Sequence, residues 1–222
     1  MARIFDPVLD DLRELLLRMG SLSEAILDKA IRAVWERRAD LAHEVRIDDL
    51  EIDRLDVEID EAVLRALALQ APVAEDLRQV IAIKMMATDL ERVGDLSRNI
   101  AKSALRLAEK PPLAFPPKLQ EVADGARRLV KLALDSFVDA DPAKAQAVLD
   151  ADDRVDDDQE RVVREAIAEI GAHPELTSQQ LDLILIAKHL ERVADHATNI
   201  AEDTILAPQA RNVKHAQKLG SR

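Results

Sequence analysis

Two stretches of the chain that lie one hundred residues apart carry closely similar amino acids. Residues 87–101, laid over residues 187–201, match at nine of fifteen positions, where roughly one match is expected by chance. Upstream, residues 49–53 align with residues 152–156 at an offset of 103. The chain is therefore an internal duplication, and its fold must be built from two copies of one unit.

Apolar residues recur at helical spacing along nearly the whole chain, and prolines and glycines interrupt this pattern at a few points. The interruptions divide the chain into six segments, each long enough to form an α-helix. The predicted helices cover residues 7–38, 41–70, 74–109, 117–140, 142–170 and 176–206. Three helices fall on each side of a proline-rich linker, so the sequence predicts an all-α fold of two pseudo-symmetric, tandem three-helix bundles.

Each repeat is a candidate domain, the first at residues 1–110 and the second at residues 117–207, followed by a polar, basic and flexible tail at residues 208–222. Short connections near residue 72 and residues 173–174 fold the last two helices of each repeat into a hairpin. The third helix has a core-facing stripe at three-four spacing, made of Ile83, Met86, Leu90, Val93, Ser97, Ile100, Ala104 and Leu107. The matching stripe of the second helix is made of Ile52, Leu55, Ile59, Ala62, Ala66 and Leu69.

Composition excludes several classes of function. Aromatic residues make up only 2% of the chain, so we do not expect a platform on which nucleic-acid bases could stack. A formal net charge of −12 disfavours binding to nucleic acid and to anionic lipid headgroups. No apolar run approaches the roughly 20 residues that a membrane span needs, and no signal peptide is predicted. We therefore expect a cytoplasmic protein that meets a membrane only through its partners.

The chain contains no cysteine, which rules out disulfides, thiolate zinc sites and cysteine nucleophiles. Carboxylates and five histidines remain as metal ligands. His43, His189 and His196 are better explained as surface or ion-pairing residues than as ligands. Any metal site is therefore expected to be built from oxygen atoms.

Acidic residues four apart occur on both helices of the first predicted hairpin. In an antiparallel hairpin, two residues that are equally far from the turn stand at the same height. Asp53 and Glu91 are equally far from Pro72, and so are Asp49 and Asp95. Because residues four apart share one helix face, the hairpin should gather these four carboxylates into one patch.

The second hairpin has the same arrangement. Asp156 with Glu191, and Asp152 with Asp195, are each centred between residues 173 and 174. Like charges at such short range destabilise a fold unless a cation lies among them. An all-oxygen ligand set suits Mg²⁺, Mn²⁺, Ca²⁺ or iron, so we interpret both patches as sites for one or more bridged metal ions.

Asn99 and Asn199 lie four residues beyond each patch and could supply an amide oxygen or orient a ligand. The simpler alternative is that the patches are solvated faces of acidic helices. Their charge would then be offset by nearby basic residues, namely Arg92, Arg192, Lys84 and Lys188. The occurrence of one constellation at equivalent places in both repeats favours metal binding.

Residues 70–78 read Q-A-P-V-A-E-D-L-R, and residues 89–101 read D-L-E-R-V-G-D-L-S-R-N-I-A. Residues 189–201 repeat the second motif in the degenerate form H-L-E-R-V-A-D-H-A-T-N-I-A. With these motifs the chain resembles the PhoU family over essentially its whole length. The duplicated E-R-V-x-D-x-x-x-N-I-A is the specific part of this resemblance.

The resemblance implies two three-helix bundles, each holding a metal cluster (Mg, Mn, Fe or Zn) on its acidic motifs. Those motifs fall here on Asp49, Asp53, Glu91, Asp95, Asp152, Asp156, Glu191 and Asp195. It further implies a homodimer that is not an enzyme but a negative regulator of the phosphate-starvation response and of phosphate uptake. Its implied partners are the ATPase subunit of the phosphate ABC transporter and a membrane sensor histidine kinase.

The second repeat has His189 where the first has Asp89, and Ala194 where the first has Gly94, so the two sites are expected to differ. Two other classes of function remain open. A metal-dependent enzyme would need convergent histidine, lysine, arginine or aromatic side chains, which the all-acidic patches lack. A metal-buffering or purely structural helical protein would need the carboxylates but no signalling partner.

Overall fold

The protein folds into long α-helices, in a computed structural model that describes residues 5–209. The helices are α1 (Asp6–Trp35), α2 (Ala39–Gln70), α3 (Ala74–Ala108), α4 (Pro117–Val138), α5 (Pro142–Ala172) and α6 (Thr177–Gln209), with a 3₁₀ turn at Pro174–Leu176. None of the helices in this part of the chain combines the length and the apolar character that crossing a bilayer requires. The three helices of each repeat pack on one another, so the predicted all-α tandem fold is confirmed. The predicted tail lies outside the described residues from residue 210 onward.

Two helices end two or three residues earlier than the periodicity predicts. α1 ends at Trp35 because Arg37 has left-handed backbone geometry, with a φ of 53°. α4 ends at Val138 because Ala140 has a φ of 48°. Neither arginine nor alanine favours this conformation, so the sequence carries no signal for either turn. Asp141 then begins α5, where its side chain accepts hydrogen bonds from two backbone N–H groups.

The predicted core-facing stripe of α3 is confirmed along its whole length. All of its predicted positions, from Ile83 to Leu107, are at most 2% exposed. The predicted stripe of α2 is confirmed at Ile52, Leu55, Ile59 and Ala66, and it is wrong at its end, where Leu69 is 77% exposed. Strict alternation of three and four residues drifts relative to the 3.6 residues of a helical turn. In α2 the last predicted position has therefore rotated away from the core, while Val63, which lies outside the predicted stripe, is buried.

The two repeats share one hydrophobic core, because α3 of the first packs along α6 of the second. Arg106 Nε of α3 donates to Asp182 Oδ1 of α6 at 2.8 Å. Toward the other end of this interface, His196 Nδ1 lies 2.7 Å from Asp89 Oδ1. The two helices are therefore antiparallel, with the equivalent positions 93 and 193 near the middle of their contact. A pseudo-two-fold axis between the repeats passes through this point.

The linker between α3 and α4 is held by both repeats. Trp35 at the end of α1 stacks edge-on against Phe115 of the linker, with ring centroids 5.8 Å apart. Gln179 Nε2 of α6 donates to the carbonyl oxygen of Pro111 at 2.8 Å. The proline-rich stretch thus adds contacts between the bundles as well as connecting them.

Gly94 lets α2 and α3 approach closely in the first repeat. A Cβ at this position would lie 2.9 Å from both Asp49 Oδ1 and Ile52 Cδ1. Gly94→Ala is expected to destabilise the protein by about 1 kcal/mol, because overpacking outweighs the gain in helix propensity. Gly171→Ala is the control, since a Cβ there meets nothing within 4 Å and should stabilise α5 by about 0.5–1 kcal/mol. Urea unfolding of both variants measures the difference, and equal stabilisation would contradict the close approach.

Candidate metal centre

The hairpin of α2 and α3 brings together the carboxylates of the first repeat. Asp49 and Asp53 lie on α2, and Glu91 and Asp95 lie on α3. The guanidinium of Arg98 donates to Asp49 Oδ2 at 2.6 Å and also to Asp95 Oδ1. Because one guanidinium reaches both helices, the carboxylates of Asp49 and Asp95 stand at the same height in the hairpin.

Burial dominates the electrostatics of this first cluster. Asp49 is 1% exposed, and burial raises its pKa, Arg98 lowers it, and Asp53 and Asp95 raise it further. Burial, followed by the charge of Asp95, also raises the pKa of Glu91. The carboxylates are thus close enough to repel one another, and Arg98 compensates the most buried of them.

Arg98 is the residue of this site that sequence reasoning missed. The sequence pointed to Arg92 and Lys84 as compensating cations, but Lys84 binds two other aspartates of α2. Arg92 contacts the cluster from its exposed side, at 3.3 and 3.4 Å. The alignment of the repeats did hold a signal, since residue 98 is arginine where its equivalent is Thr198.

The hairpin of α5 and α6 holds the second cluster. Burial is the main cause that raises the pKa of Asp152 to about 7, and the charges of Asp156 and Asp195 add to it. The pKa of Glu191 is raised by burial and then by Asp195 and Asp156, and the charges of Lys188 and Arg192 offset part of this rise. Burial and the charge of Asp195 also raise the pKa of Asp156. The four predicted acidic residues of the second repeat therefore form one electrostatically coupled group.

The second cluster lacks the cation that the first contains. Thr198 stands where the first repeat has Arg98, and its hydroxyl donates to the backbone carbonyl of Asp195 at 2.7 Å. In the described residues, the buried Oδ1 atom of Asp152 has no hydrogen-bond partner. An orphaned carboxylate oxygen among like charges is unfavourable unless a cation reaches it.

The donor set of the second cluster fits a hard divalent ion better than that of the first. In the side-chain conformations of residues 5–209, no group of three or more His, Asp or Glu side chains is arranged so that it could hold a metal ion. Carboxylates that repel one another splay apart, so rotamer changes would have to accompany binding. In the second cluster, Asp152 offers a free buried oxygen. In the first, Arg98 would have to release Asp49 and Asp95.

The two predicted asparagines make other contacts. Asn199 Nδ2 donates to Asp89 Oδ1 across the α3–α6 interface at 3.0 Å, beside His196. Asn99 Oδ1 accepts a hydrogen bond from Lys102 Nζ at 3.1 Å. His196 pairs with a carboxylate, in line with the ion-pairing role that the sequence favours for it.

Asp152→Asn is expected to stabilise the metal-free protein by about 1–2 kcal/mol at pH values above 7, because the amide removes a repelled charge and Asp152 keeps some solvent contact. The pKa of Asp152 is raised in the folded state, so the penalty for its charge disappears as the pH falls from about 7 toward 3.8. Chemical unfolding with chelator present measures the effect at both ends of this range. Asp157→Asn, on the exposed side of α5, is the control and should change stability little. Equal effects of the two substitutions would contradict the buried cluster.

Comparison with known proteins places the fold and the motifs in one family. The model of the PhoU domain matches the chain twice, over residues 16–104 and 119–204. Proteins described as phosphate-specific transport system accessory protein PhoU homologs, from Pseudomonas putida and Pseudomonas aeruginosa, are each 34% identical to the chain over 213 residues. These matches cover 95% of this chain and 83% and 88% of the relatives.

Solved structures agree with this match. The crystal structure of PhoU from Pseudomonas aeruginosa has a TM-score of 0.89 at 33% identity and covers 93% of this chain and 100% of its own. The phosphate transport system regulatory protein PhoU from Streptococcus pneumoniae has a TM-score of 0.88 at 28% identity, with 94% and 99% covered. The two matched domains correspond to the two repeats, and each contains one carboxylate cluster. The chain belongs to the PhoU family.

Proposed function

We propose that this protein is a negative regulator of the phosphate-starvation response and of phosphate uptake. It acts as a metal-binding adaptor between the ATPase subunit of the phosphate ABC transporter and the sensor histidine kinase of the phosphate regulon. It transmits phosphate status through protein contacts in the cytoplasm, and it catalyses no reaction.

The similarity over nearly the whole chain carries this proposal. Relatives that cover 95% and 94% of the chain are named as accessory or regulatory proteins of phosphate transport. The E-R-V-x-D motif that marks the resemblance stands at residues 91–95 and 191–195, in the carboxylate clusters. The words accessory and regulatory in these names support a protein that acts by binding other proteins. The clusters contain only carboxylates and lack the histidine or lysine that would commonly accompany them in an acid–base catalyst.

The proposed metal ligands are the carboxylates of the two clusters, and we expect the second cluster to bind metal more tightly than the first. Its ligands would be Asp152, Asp156, Glu191 and Asp195, and those of the first Asp49, Asp53, Glu91 and Asp95. A bound divalent ion, such as Mg, Mn, Fe or Zn, would supply the positive charge that offsets the repulsion within a cluster. In the second repeat, Asp152 and Asp156 would bind from α5, and Glu191 and Asp195 from α6.

The first experiment is a phosphate-responsive reporter in cells that lack this protein. Reporter output is expected to stay high in abundant phosphate, because nothing then restrains the kinase. Expression of the intact chain should restore repression. Repression that persists without the protein would overturn the proposed regulation.

Complementation separates the metal site from the adaptor role. The double substitution Asp152→Asn with Asp195→Asn removes two proposed ligands of the second cluster and is expected to weaken repression. Asp157→Asn lies on the exposed side of α5 and should complement fully. Full complementation by the double variant would show that regulation does not need this metal site.

A second candidate function is a metal-buffering or metal-dependent helical protein without a signalling partner. The buried oxygen of Asp152 that has no hydrogen-bond partner among residues 5–209 favours it, because that observation requires no partner protein. Pull-down with the transporter ATPase and the cytoplasmic part of the kinase distinguishes the two. Binding of either protein supports the adaptor, and binding of neither leaves metal buffering as the better account.

A further inference from the structure

The α3–α6 interface has two equivalent ends, because the pseudo-two-fold axis exchanges the two helices. At one end Asp89 Oδ1 of α3 accepts a hydrogen bond from Asn199 Nδ2 at 3.0 Å and lies 2.7 Å from His196 Nδ1. A carboxylate of the first repeat is thus bound by two polar side chains of the second. At the other end the equivalent position of α6 is His189, so an imidazole takes the place of that carboxylate.

The His189 end nevertheless keeps side chains that suit a carboxylate. Asn99 of α3 is the equivalent of Asn199, so the pseudo-two-fold axis places it beside His189. Its Oδ1 accepts a hydrogen bond from Lys102 Nζ at 3.1 Å, which leaves its Nδ2 to donate to another group. Arg192 follows His189 by three residues and therefore shares its face of α6.

Positive charge collects around His189, although the whole chain has a formal net charge of −12. Burial lowers the pKa of His189, and the charges of Arg192, Lys102 and Arg106 lower it further. Arg106 is paired with Asp182, but Lys102 and Arg192 make no ion pair within residues 5–209. In the same part of the chain, the buried Nδ1 atom of His189 has no hydrogen-bond partner. Two cations from different repeats therefore stand near this end without a carboxylate between them.

An anion from solvent is the group that this arrangement lacks. Cations on two helices repel each other at short range, and an anion between them offsets the repulsion. Leu96 stands where the Asp89 end has His196, so the donors that remain are an ammonium, a guanidinium and an amide. A tetrahedral oxyanion can accept hydrogen bonds from all three, and a guanidinium can bind two of its oxygens in parallel. Lys102 and Arg192 are exposed, so a dissolved ion can reach them.

We propose that this end of the interface binds a small tetrahedral oxyanion, such as inorganic phosphate or sulfate, between Lys102 of α3 and Arg192 of α6. We call Asn99, Lys102, His189 and Arg192 the oxyanion site. The ion bridges the two repeats there, as the side chain of Asp89 does at the other end. His189 leaves the position without a carboxylate that would compete for the two cations. The site contains no proposed metal ligand, and the inference does not depend on the proposed role in phosphate regulation.

Isothermal titration calorimetry of the full chain with inorganic phosphate, and separately with sulfate, tests the site. Chelator is present throughout, so that no metal ion can bind the anion instead, and chloride holds the ionic strength constant. We expect saturable binding of one ion per chain, and the relative affinities of phosphate and sulfate identify the preferred oxyanion. Absence of saturable binding by both ions would overturn the inference.

Removal of single charges locates the bound ion. Lys102→Gln and Arg192→Gln each remove a charged hydrogen-bond donor, and each is expected to raise the dissociation constant roughly tenfold. Arg65→Gln is the matched control, because Arg65 is an exposed cation of α2 that makes no ion pair in the described part of the chain. It changes the net charge equally and should leave binding unaltered. Equal weakening by all three substitutions would indicate a response to net charge alone and would contradict the site.

Replacement of His189 tests whether a resident carboxylate excludes the ion. His189→Asp supplies the residue that the first repeat has at this position, and it is expected to abolish oxyanion binding. In buffer that contains only chloride it should also raise the melting temperature, because the new carboxylate compensates Lys102 and Arg192. His189→Asn has nearly the same size without the charge and should retain binding. Oxyanion binding by His189→Asp with the affinity of the intact protein would overturn the inference.

Discussion

Arg98→Met is expected to destabilise the protein by about 3 kcal/mol near neutral pH. Asp49 is 1% exposed, and Arg98 is the cation that binds it. Loss of the guanidinium leaves a buried carboxylate unpaired beside Asp53 and Asp95, whose charges raise its pKa. Methionine keeps the apolar stem of the arginine, so urea unfolding measures mainly the lost charge.

Two further variants make this result specific. Arg92→Met is the control, because Arg92 contacts the same cluster from a 53% exposed position; its loss should change stability by less than about 1 kcal/mol. Asp49→Asn in the Arg98→Met background should recover most of the loss, since it removes the unpaired charge. An Arg98→Met effect no larger than that of Arg92→Met would contradict the assignment.

The pH dependence of the Arg98→Met variant follows from the same charge. Without Arg98 the pKa of Asp49 rises further above its ordinary value of 3.8, so the folded state takes up a proton more readily than the unfolded state. Stability should therefore be lowest above the raised pKa and should recover as the pH falls toward 3.8. Thermal melting from neutral to acidic pH, with the intact protein as reference, measures this recovery.

Divalent metal should stabilise the intact protein through its second repeat. At a metal concentration one hundred times the dissociation constant, binding to the folded state alone adds about 2.7 kcal/mol, or roughly 5–10 °C in melting temperature for a chain of this size. Thr198→Arg should abolish most of this gain, because it supplies the kind of guanidinium that compensates the first cluster. The same variant should melt higher than the intact protein when chelator is present.

Melting in Mg²⁺, in Mn²⁺ and in chelator compares these states directly. Thr198→Met is the control, since it adds a side chain of moderate length without charge and should keep most of the metal response. An undiminished response in Thr198→Arg would place the metal elsewhere, and no response in the intact protein would argue against a metal site in either repeat.

Periodicity and repetition were enough to predict the helices, their order and the hairpins. The predicted helix ends and the predicted core positions are wrong where the backbone adopts unusual geometry or where strict three-four spacing no longer follows the helical turn. Arg37 and Ala140 adopt left-handed geometry that their residue types do not favour. Leu69 was assigned to the core because a regular spacing was continued too far along α2. The contact of α3 with α6 was not predicted, because both repeats looked complete without it.

The sequence predicts which carboxylates lie together in each hairpin, but it does not predict the cation that binds the first group. Equal distances from a turn fix the height of residues on a hairpin, so Asp49 and Asp95 could be paired from the sequence. The reach of a long side chain depends on its rotamer, which no spacing rule provides, and Arg98 was therefore missed. The sequence shows arginine at position 98 and threonine at position 198. Only the structure shows that Arg98 contacts the carboxylates of the first cluster, which gives this difference its significance.

The antiparallel contact of α3 and α6 has a consequence for how such a chain can diversify. A single repeat on its own would leave bare the face of α3 that α6 covers. Since the contact is centred on equivalent positions 93 and 193, a second copy of that repeat could cover it in the same way. The tandem chain is thus a dimer joined into one polypeptide, and joining lets each half change alone. Arg98 opposite Thr198 in the alignment, and Ile47 opposite Asp150, are changes that two identical subunits could never have acquired separately.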